Sequence, residues 1–272
     1  MQITKIHTTG KDYLFCGCSA EEGATLAQRL LDRRMGIGAD GLVTVEAETD
    51  GVRTLRLFLP DGSEECASAD ALIAAAKYFY DGDNQKRVSH LRLCGVDYTV
   101  RLSVLSGRVL CAWLEMPRIK PRPMEQLKYY HGIRGEVLRA CMKHPRVSIY
   151  ALCGEHAVFL LESASAVKTL AISDVGARLS EVLFYGEKID LHFASVSGEN
   201  SLVMRSWRCG KKELVSSGFG ATLVAYAAYE SGLIESERVI VKSLGGSYCV
   251  ELDGQNASLC AKCETVFYGE AM

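Results

Sequence analysis

The pattern of apolar and polar residues predicts two buried helices, one in each half of the chain. In residues 69–79, apolar side chains recur at three- and four-residue spacing. Lys77 is a charged residue within this otherwise mostly apolar segment. Residues 220–229 are apolar on nearly every side, and a helix of that kind is buried on every side. We therefore expect two central helices, each enclosed by strands.

Strands account for most of the remaining pattern. Short apolar and β-branched runs predict strands at 2–6, 13–16, 41–46, 55–58, 90–93, 97–102, 109–115, 147–152, 157–162, 201–207, 238–242 and 248–252. Amphipathic spacing predicts two further helices, at 21–33 and 124–142. Many strands around one buried helix, twice, predict an α+β fold with pseudo-twofold symmetry.

Prolines mark a boundary near the middle of the chain. Three of the five prolines, Pro117, Pro121 and Pro123, lie in the basic segment MPRIKPRPM, which is unfavourable for regular structure. We predict an N-terminal half at 1–119 and a C-terminal half at 120–272, each with one central helix. This prediction allows the last strand of the C-terminal half to join the N-terminal half.

The two halves also repeat each other in sequence. A shift of 149 residues brings Arg56 onto Arg205 and Ser68 onto Ser217. Each copy follows the order strand, polar loop, serine, Ala-rich helix, charged loop, strand, turn, strand. Self-similarity over so long a period predicts an internal duplication and not a short-period solenoid.

Charge and cysteine content exclude several classes of protein. With 31 Lys and Arg against 33 Asp and Glu, the chain lacks the basic excess of a dedicated nucleic-acid binder. It has no run of 18 apolar residues and begins with a polar segment, which predicts no membrane contact and a cytoplasmic location. The 11 cysteines are odd in number and scattered, which predicts reduced, mostly buried thiols and neither a disulfide framework nor a metal site.

The junctions before the two central helices carry the candidate chemistry. A helix N-terminus exposes unpaired N–H groups and binds carboxylate or phosphate, so two such ends across a twofold cleft would hold one small anion. Ser68 and Ser217 stand at these junctions. Serine is a common helix cap there, and catalysis by either hydroxyl is the alternative. His156 precedes an apolar strand and is either a structural histidine or a base.

The same segments resemble the diaminopimelate epimerases, which are cofactor-independent isomerases. The resemblance covers nearly the whole chain in order, through ITKIHTTGKDY, MGIGADGLV, FLPDGSEECASADA, CGEHAVF, RSWRCGKKELVSSGFGATLVAYAA and LGGSYCVEL. It implies two halves, each a barrel-like, mostly antiparallel sheet around a central buried helix. It also implies one cysteine from each half at the substrate's α-carbon, one as thiolate base and one as thiol acid, with the helix N-termini holding the α-carboxylate.

This chain departs from the family pattern at the functional positions. Ser68 and Ser217 stand where the resemblance places the two cysteines. Because a hydroxyl is several pKa units harder to ionise than a thiol, a serine acts only when an adjacent base takes its proton. His156 is one candidate base, which could serve only one face of the substrate. The candidate ligand-binding positions, most of them altered, are Lys11, Asp70, Asp190, Arg208, Gly218 and Phe219; Leu59 and Gly154 replace two family asparagines, and Arg208-Cys209 replaces a Glu-Arg pair.

Three hypotheses for function follow. The first is a diaminopimelate epimerase-like pseudoenzyme that is catalytically degenerate. The second is an isomerase or lyase for a different small amino or carboxylic acid, with candidate groups Lys11, Asp70, His156, Arg208 and Glu213. The third is an active epimerase disabled by introduced serines, which the other changed positions contradict.

The resemblance also sets expectations about ligands and partners. It implies no cofactor and no metal. A small carboxylate-bearing ligand and a second copy of the chain, in a homodimer, are the expected partners, whereas nucleic acid and membrane are not expected.

Overall fold

The computed structural model describes residues 1–82, 86–122, 146–182, 189–208, 210 and 212–271. The helix predicted at 124–142 therefore lies outside the described residues. The chain divides into two compact units, the first made of Met1–Glu115 with Leu259–Met272 and the second of Met116–Ser258. Within the described ranges, no helix is long and apolar enough to span a membrane.

The described elements are mostly strands. Up to residue 121 they are β1 (Gln2–Thr8), β2 (Lys11–Cys16), α1 (Ala20–Leu30), β3 (Gly41–Thr49), β4 (Val52–Phe58), α2 (Ala69–Gly82), β5 (Val88–Leu93), β6 (Val96–Leu105), β7 (Arg108–Glu115) and β8 (Lys120–Pro121). From residue 146 they are β9 (Arg146–Ala151), β10 (Glu155–Leu160), α3 (Ala164–Thr169), α4 (Ile172–Val182), β11 (Ile189–Gly198), β12 (Ser201–Arg208), β13 (Lys212–Leu214), α5 (Gly218–Glu230), β14 (Arg238–Lys242), β15 (Ser247–Asp253), β16 (Asn256–Ala261) and β17 (Cys263–Glu270).

In the first unit, the sheet wraps around α2. Strand β1 pairs antiparallel with β17 and β2, β2 pairs parallel with β3, and β3 pairs antiparallel with β4. Beyond β4, the parallel pair β4–β5 is followed by the antiparallel pairs β5–β6 and β6–β7. Helix α2 packs against β1, β2, β3, β5, β6, β7 and β17, which buries residues 69–76 almost completely.

The second unit has the same succession of pairings around α5. Strands β9 and β10 are antiparallel, β10 and β11 parallel, and β11 and β12 antiparallel. The parallel pair β12–β14 and the antiparallel pair β14–β15 complete it. Helix α5 packs against β10, β11, β12, β14 and β15, and all its residues from Gly218 to Ala228 are buried. The α+β class, with a sheet around one central helix in each unit, is confirmed.

Two sequence predictions need correction. The helix predicted at 21–33 ends at Leu30, because the Asp32 carboxylate accepts hydrogen bonds from the backbone N–H groups of Arg34 and Met35 and forms a turn. Not every thiol is free: Cys66 and Cys94 form a disulfide with a Cα–Cα distance of 5.2 Å. It ties the loop that leads into α2 to the turn between β5 and β6.

Candidate functional site

Ser68 caps helix α2 and contacts a phenol. Its Oγ accepts a hydrogen bond from the backbone N–H of Ala71 at 3.2 Å, as an N-cap side chain does. The same oxygen lies 3.1 Å from the hydroxyl of Tyr13. Burial, and then the nearby Asp70 carboxylate, raise the pKa of Tyr13 well above its usual range. The phenol therefore stays protonated and cannot act as a base toward Ser68.

A buried ion pair stands in the first turn of the same helix. Asp70 is fully buried, and its Oδ2 lies 3.3 Å from Nζ of Lys11 on β2. Only 1% of the Asp70 side chain and 14% of the Lys11 side chain are exposed. The positive end of the helix dipole favours a carboxylate here. The positive end of the α2 dipole therefore faces a carboxylate of the protein and not one from a ligand.

Ser217 caps helix α5. Its Oγ accepts a hydrogen bond from the backbone N–H of Gly220 at 3.1 Å, and the first turn holds no acidic residue. Gly218 and Phe219, the next two residues, are buried. A Cβ on Gly220 would lie 2.4 Å from the ring of His192, so only glycine allows the helix to pack this closely against that imidazole.

His156 is the first member of a buried hydrogen-bond chain. Its Nε2 lies 3.1 Å from the carbonyl oxygen of Leu152, and its Nδ1 lies 3.0 Å from Nε2 of His192. Nδ1 of His192 lies 2.9 Å from Oγ of Ser206. Because a carbonyl only accepts, His156 carries its proton on Nε2. His192 then donates to His156, and Ser206 donates to His192.

The imidazoles of His156 and His192 are both neutral. Burial lowers the pKa of His156, although nearby Asp190 opposes that shift. Burial, and then His156 itself, lower the pKa of His192 well below its usual range. The lone pair on Nδ1 of His156 accepts from His192 and its Nε2 proton is donated to Leu152. Neither nitrogen of His156 is left to take a proton from a serine.

The remaining charged candidates pair within the second unit. Nε of Arg208 lies 3.9 Å from Oδ2 of Asp190 on the neighbouring strand. Glu213 receives two hydrogen bonds from Arg205, from Nε at 2.6 Å and from Nη2 at 2.9 Å. The structure thus joins Lys11 with Asp70 and Arg208 with Asp190. The expectation that Ser68 and Ser217 face a shared space stays a prediction.

Sequence reasoning missed Tyr13, which contacts Ser68, and also His192 and Ser206, which continue the hydrogen-bond chain from His156. The signal for His192 was a single histidine inside the apolar run LHF, in a strand, β11, that the sequence pattern did not predict. A buried histidine in an apolar strand needs hydrogen-bond partners for its ring nitrogens, and His156 was the available histidine. Tyr13 gave no signal of its own, because its contact with Ser68 joins residues 55 positions apart.

In sequence, the chain is similar to proteins named diaminopimelate epimerase. No protein-family model matches it. It is 27% identical over 262 residues to diaminopimelate epimerase of Acetivibrio thermocellus, covering 94% of this chain and 92% of that protein. It is also 27% identical over 280 residues to diaminopimelate epimerase of Pelotomaculum thermopropionicum, covering 99% and 98%.

Comparisons of structure give the same fold at lower sequence identity. A phenazine biosynthesis protein of the PhzF family from Bacillus anthracis aligns with a TM-score of 0.71 and 12% identity, over 100% of this chain and 99% of that one. A hydroxyproline epimerase from Agrobacterium vitis, solved with trans-4-hydroxy-L-proline, aligns with a TM-score of 0.64 and 11% identity, over 99% and 90%. The predicted resemblance and fold are confirmed.

Proposed function

We propose that this chain, a divergent relative of the diaminopimelate epimerases within a lineage of cofactor-independent isomerases, is catalytically silent. The observation that carries the proposal is the set of partners of the two serines. Ser68 caps α2 and contacts the protonated phenol of Tyr13, while Ser217 caps α5. Among the described residues, neither hydroxyl has a hydrogen bond to a basic group. Without an adjacent base, a serine at a cysteine position cannot supply the thiolate's chemistry.

The candidate acid–base groups of the alternative hypothesis also support this proposal. Lys11 and Asp70 pair with each other, and Glu213 is held by Arg205. The ring nitrogens of His156 are both engaged. An isomerase or lyase with a different substrate would need at least one of these groups to leave its partner. We therefore rank that alternative second and make it an outcome of the experiment below.

We further propose that a small carboxylate-bearing ligand binds at the first turn of α5 and not at that of α2. Asp70 already places a buried carboxylate in the first turn of α2, so a second anion there would be repelled. The first turn of α5 carries no acidic residue, and a helix N-terminus of that kind attracts an anion. Cytoplasmic location, a homodimer and the origin of the two units by internal duplication are part of the same proposal.

Hydrogen exchange at the α-carbon tests the proposal on the unmodified protein. The protein is incubated in D2O with a panel of L-amino acids, L,L-diaminopimelate and L-proline, and deuterium at each α-carbon is read by mass spectrometry. A two-cysteine diaminopimelate epimerase serves as the positive control. We expect no incorporation above buffer for any compound. Incorporation into any other compound than diaminopimelate would overturn the proposal and establish the alternative, with that compound as the substrate lead. Incorporation into L,L-diaminopimelate would overturn it in favour of an active epimerase.

A further inference from the structure

Two cysteine thiols lie side by side at the end of β2, in the first unit. Cys16 is the last residue of the strand, and Cys18 follows after a single glycine. Their Sγ atoms are 3.0 Å apart. Gly17 is exposed, and a Cβ at that position would meet no atom within 4 Å. Gly17 thus faces open space between the two thiols.

The outer thiol opens onto a cleft of about 550 Å³. Cys18 lines this cleft together with Leu26 and Arg29 of α1. Within the part of the chain that the structure describes, the exposed Arg29 has no ion-pair partner. Glu22 also lines the cleft, but its carboxylate is held in the helix cap by hydrogen bonds from the backbone and side chain of Ser19. The Arg29 guanidinium is thus available to an anion bound in this cleft.

The two thiols differ in access. Cys18 is half-buried, whereas Cys16 is buried behind it. Burial, and then the hydrogen bond with Cys18, raise the pKa of the Cys16 thiol. The inner thiol therefore stays protonated while the reachable outer thiol makes the first attack, and it acts as the resolving thiol only after it has lost its proton. The described residues offer these sulfurs no group of three or more potential metal ligands, which favours exchange over metal binding.

We propose that Cys16 and Cys18 form a redox-active dithiol that reduces a small, carboxylate-bearing disulfide bound in this cleft. The Cys18 thiolate attacks one sulfur of the disulfide, forming a mixed disulfide and releasing one small thiolate. The sulfur of Cys16, losing its proton to that thiolate, then attacks Sγ of Cys18 and releases a second small thiolate, which takes up the proton that Cys18 gave to water. Two protein thiols are oxidised by two electrons, and one small disulfide becomes two thiols. Arg29 binds the carboxylate.

Glutathione disulfide is the probe for the experiment. The intact protein is incubated with it, quenched in acid and mapped by peptide mass spectrometry. We expect the peptide with Cys16 and Cys18 to lose two hydrogens and two glutathione thiols to be released for each protein molecule. Cys111, a half-buried thiol on β7, is the internal control and should react at least about tenfold more slowly. A comparable rate at Cys111, or no change at Cys16 and Cys18, would overturn the proposal.

Variants separate the roles of the three residues. Cys16→Ser should stop the reaction at a stable glutathione adduct on Cys18, whereas Cys18→Ser should leave Cys16 unmodified. Circular dichroism confirms that both variants are folded. Arg29→Gln should slow the reaction with glutathione disulfide about threefold and leave the reaction with cystamine, a cationic disulfide, unchanged. Equal rates for Arg29→Gln and the unmodified protein with glutathione disulfide would refute the carboxylate preference. Adduct formation on Cys16 in Cys18→Ser would refute the assigned order.

Discussion

The first turns of α2 and α5 share a cap and differ in everything around it. In both, the Oγ of a serine accepts a hydrogen bond from the backbone N–H of the residue three positions later, which is Ala71 in α2 and Gly220 in α5. The first turn of α2 then holds a buried carboxylate, paired with Lys11. The first turn of α5 holds a buried phenylalanine and packs its glycine against His192.

This difference separates what the fold requires from what chemistry requires. A buried helix must satisfy its first N–H groups, and a serine does so at either end. The packing of these two helices does not require a cysteine at the cap position. A cysteine there would serve catalysis. The neighbouring positions are free to diverge, which gives an ion pair in one unit and an apolar turn in the other.

The ion pair at α2 predicts the largest effect. Lys11→Met leaves the Asp70 carboxylate buried without its cation, so the free energy of unfolding should fall by about 3–5 kcal/mol. Chemical denaturation measures it, with Lys242→Met, an exposed lysine of the second unit, as the matched control. That control should change stability by less than about 0.5 kcal/mol. Adding Asp70→Asn to Lys11→Met should recover part of the loss, and no recovery would mean that the two side chains are not coupled.

The disulfide before α2 predicts the next largest effect. It joins residues 28 positions apart, for which chain entropy gives about 3.5 kcal/mol of stabilisation. Among the described residues, the loop before α5 contains no such link. The variant Cys66→Ser/Cys94→Ser should unfold at lower denaturant concentration by that amount. Adding a reductant should have the same effect on the unmodified protein and none on the variant. A reductant effect of equal size in both would place the redox sensitivity elsewhere.

The histidines beside α5 predict a pH effect confined to the second unit. Burial lowers the pKa of both His156 and His192 from the ordinary value of 6.5. Below that pH the unfolded chain binds protons that the folded chain refuses, so stability is full above about 6.5 and falls as the pH falls toward the folded pKa. Each of the two groups therefore lowers the free energy of unfolding as the pH falls below 6.5. The decrease in the free energy of unfolding at low pH should be smaller in His156→Gln/His192→Gln. An equal decrease would show that these histidines do not cause the pH effect.

The two serine caps predict the smallest effect on stability. Ser68→Ala and Ser217→Ala should each lower the free energy of unfolding by about 1 kcal/mol. Ser68→Ala additionally removes the partner of the buried Tyr13 hydroxyl, so its cost should be the larger of the two. Thermal unfolding of both variants, side by side, checks this order. A Ser217→Ala variant as stable as the unmodified protein would mean that its hydroxyl is not needed as a cap.

The sequence was sufficient for the fold and only partly sufficient for the site. Helix α5 follows from an unbroken apolar run, and the capping role of Ser217 follows from its place before that run. The strand β11 was missed, and with it His192, although Ile189, Leu191 and Phe193 alternate with polar residues as they do in a strand. The Lys11–Asp70 pair joins residues 59 positions apart. Which of several charged residues meet at such a distance is decided by tertiary packing, and no local pattern records it.

Restoring both thiols is the most direct test of the claim that the lost chemistry extends beyond the two cysteine positions. In Ser68→Cys/Ser217→Cys, Asp70 and Lys11 still occupy the first turn of α2, and Leu59 and Gly154 cannot hydrogen-bond through their side chains. With Cys209 in place of the arginine of the family's Glu-Arg pair, three hydrogen bonds to a charged ligand are lost, which costs about 10³- to 10⁶-fold in rate. Exchange at the α-carbon of L,L-diaminopimelate in D2O should therefore stay at the buffer level. Turnover within roughly a hundredfold of a two-cysteine epimerase would contradict the account.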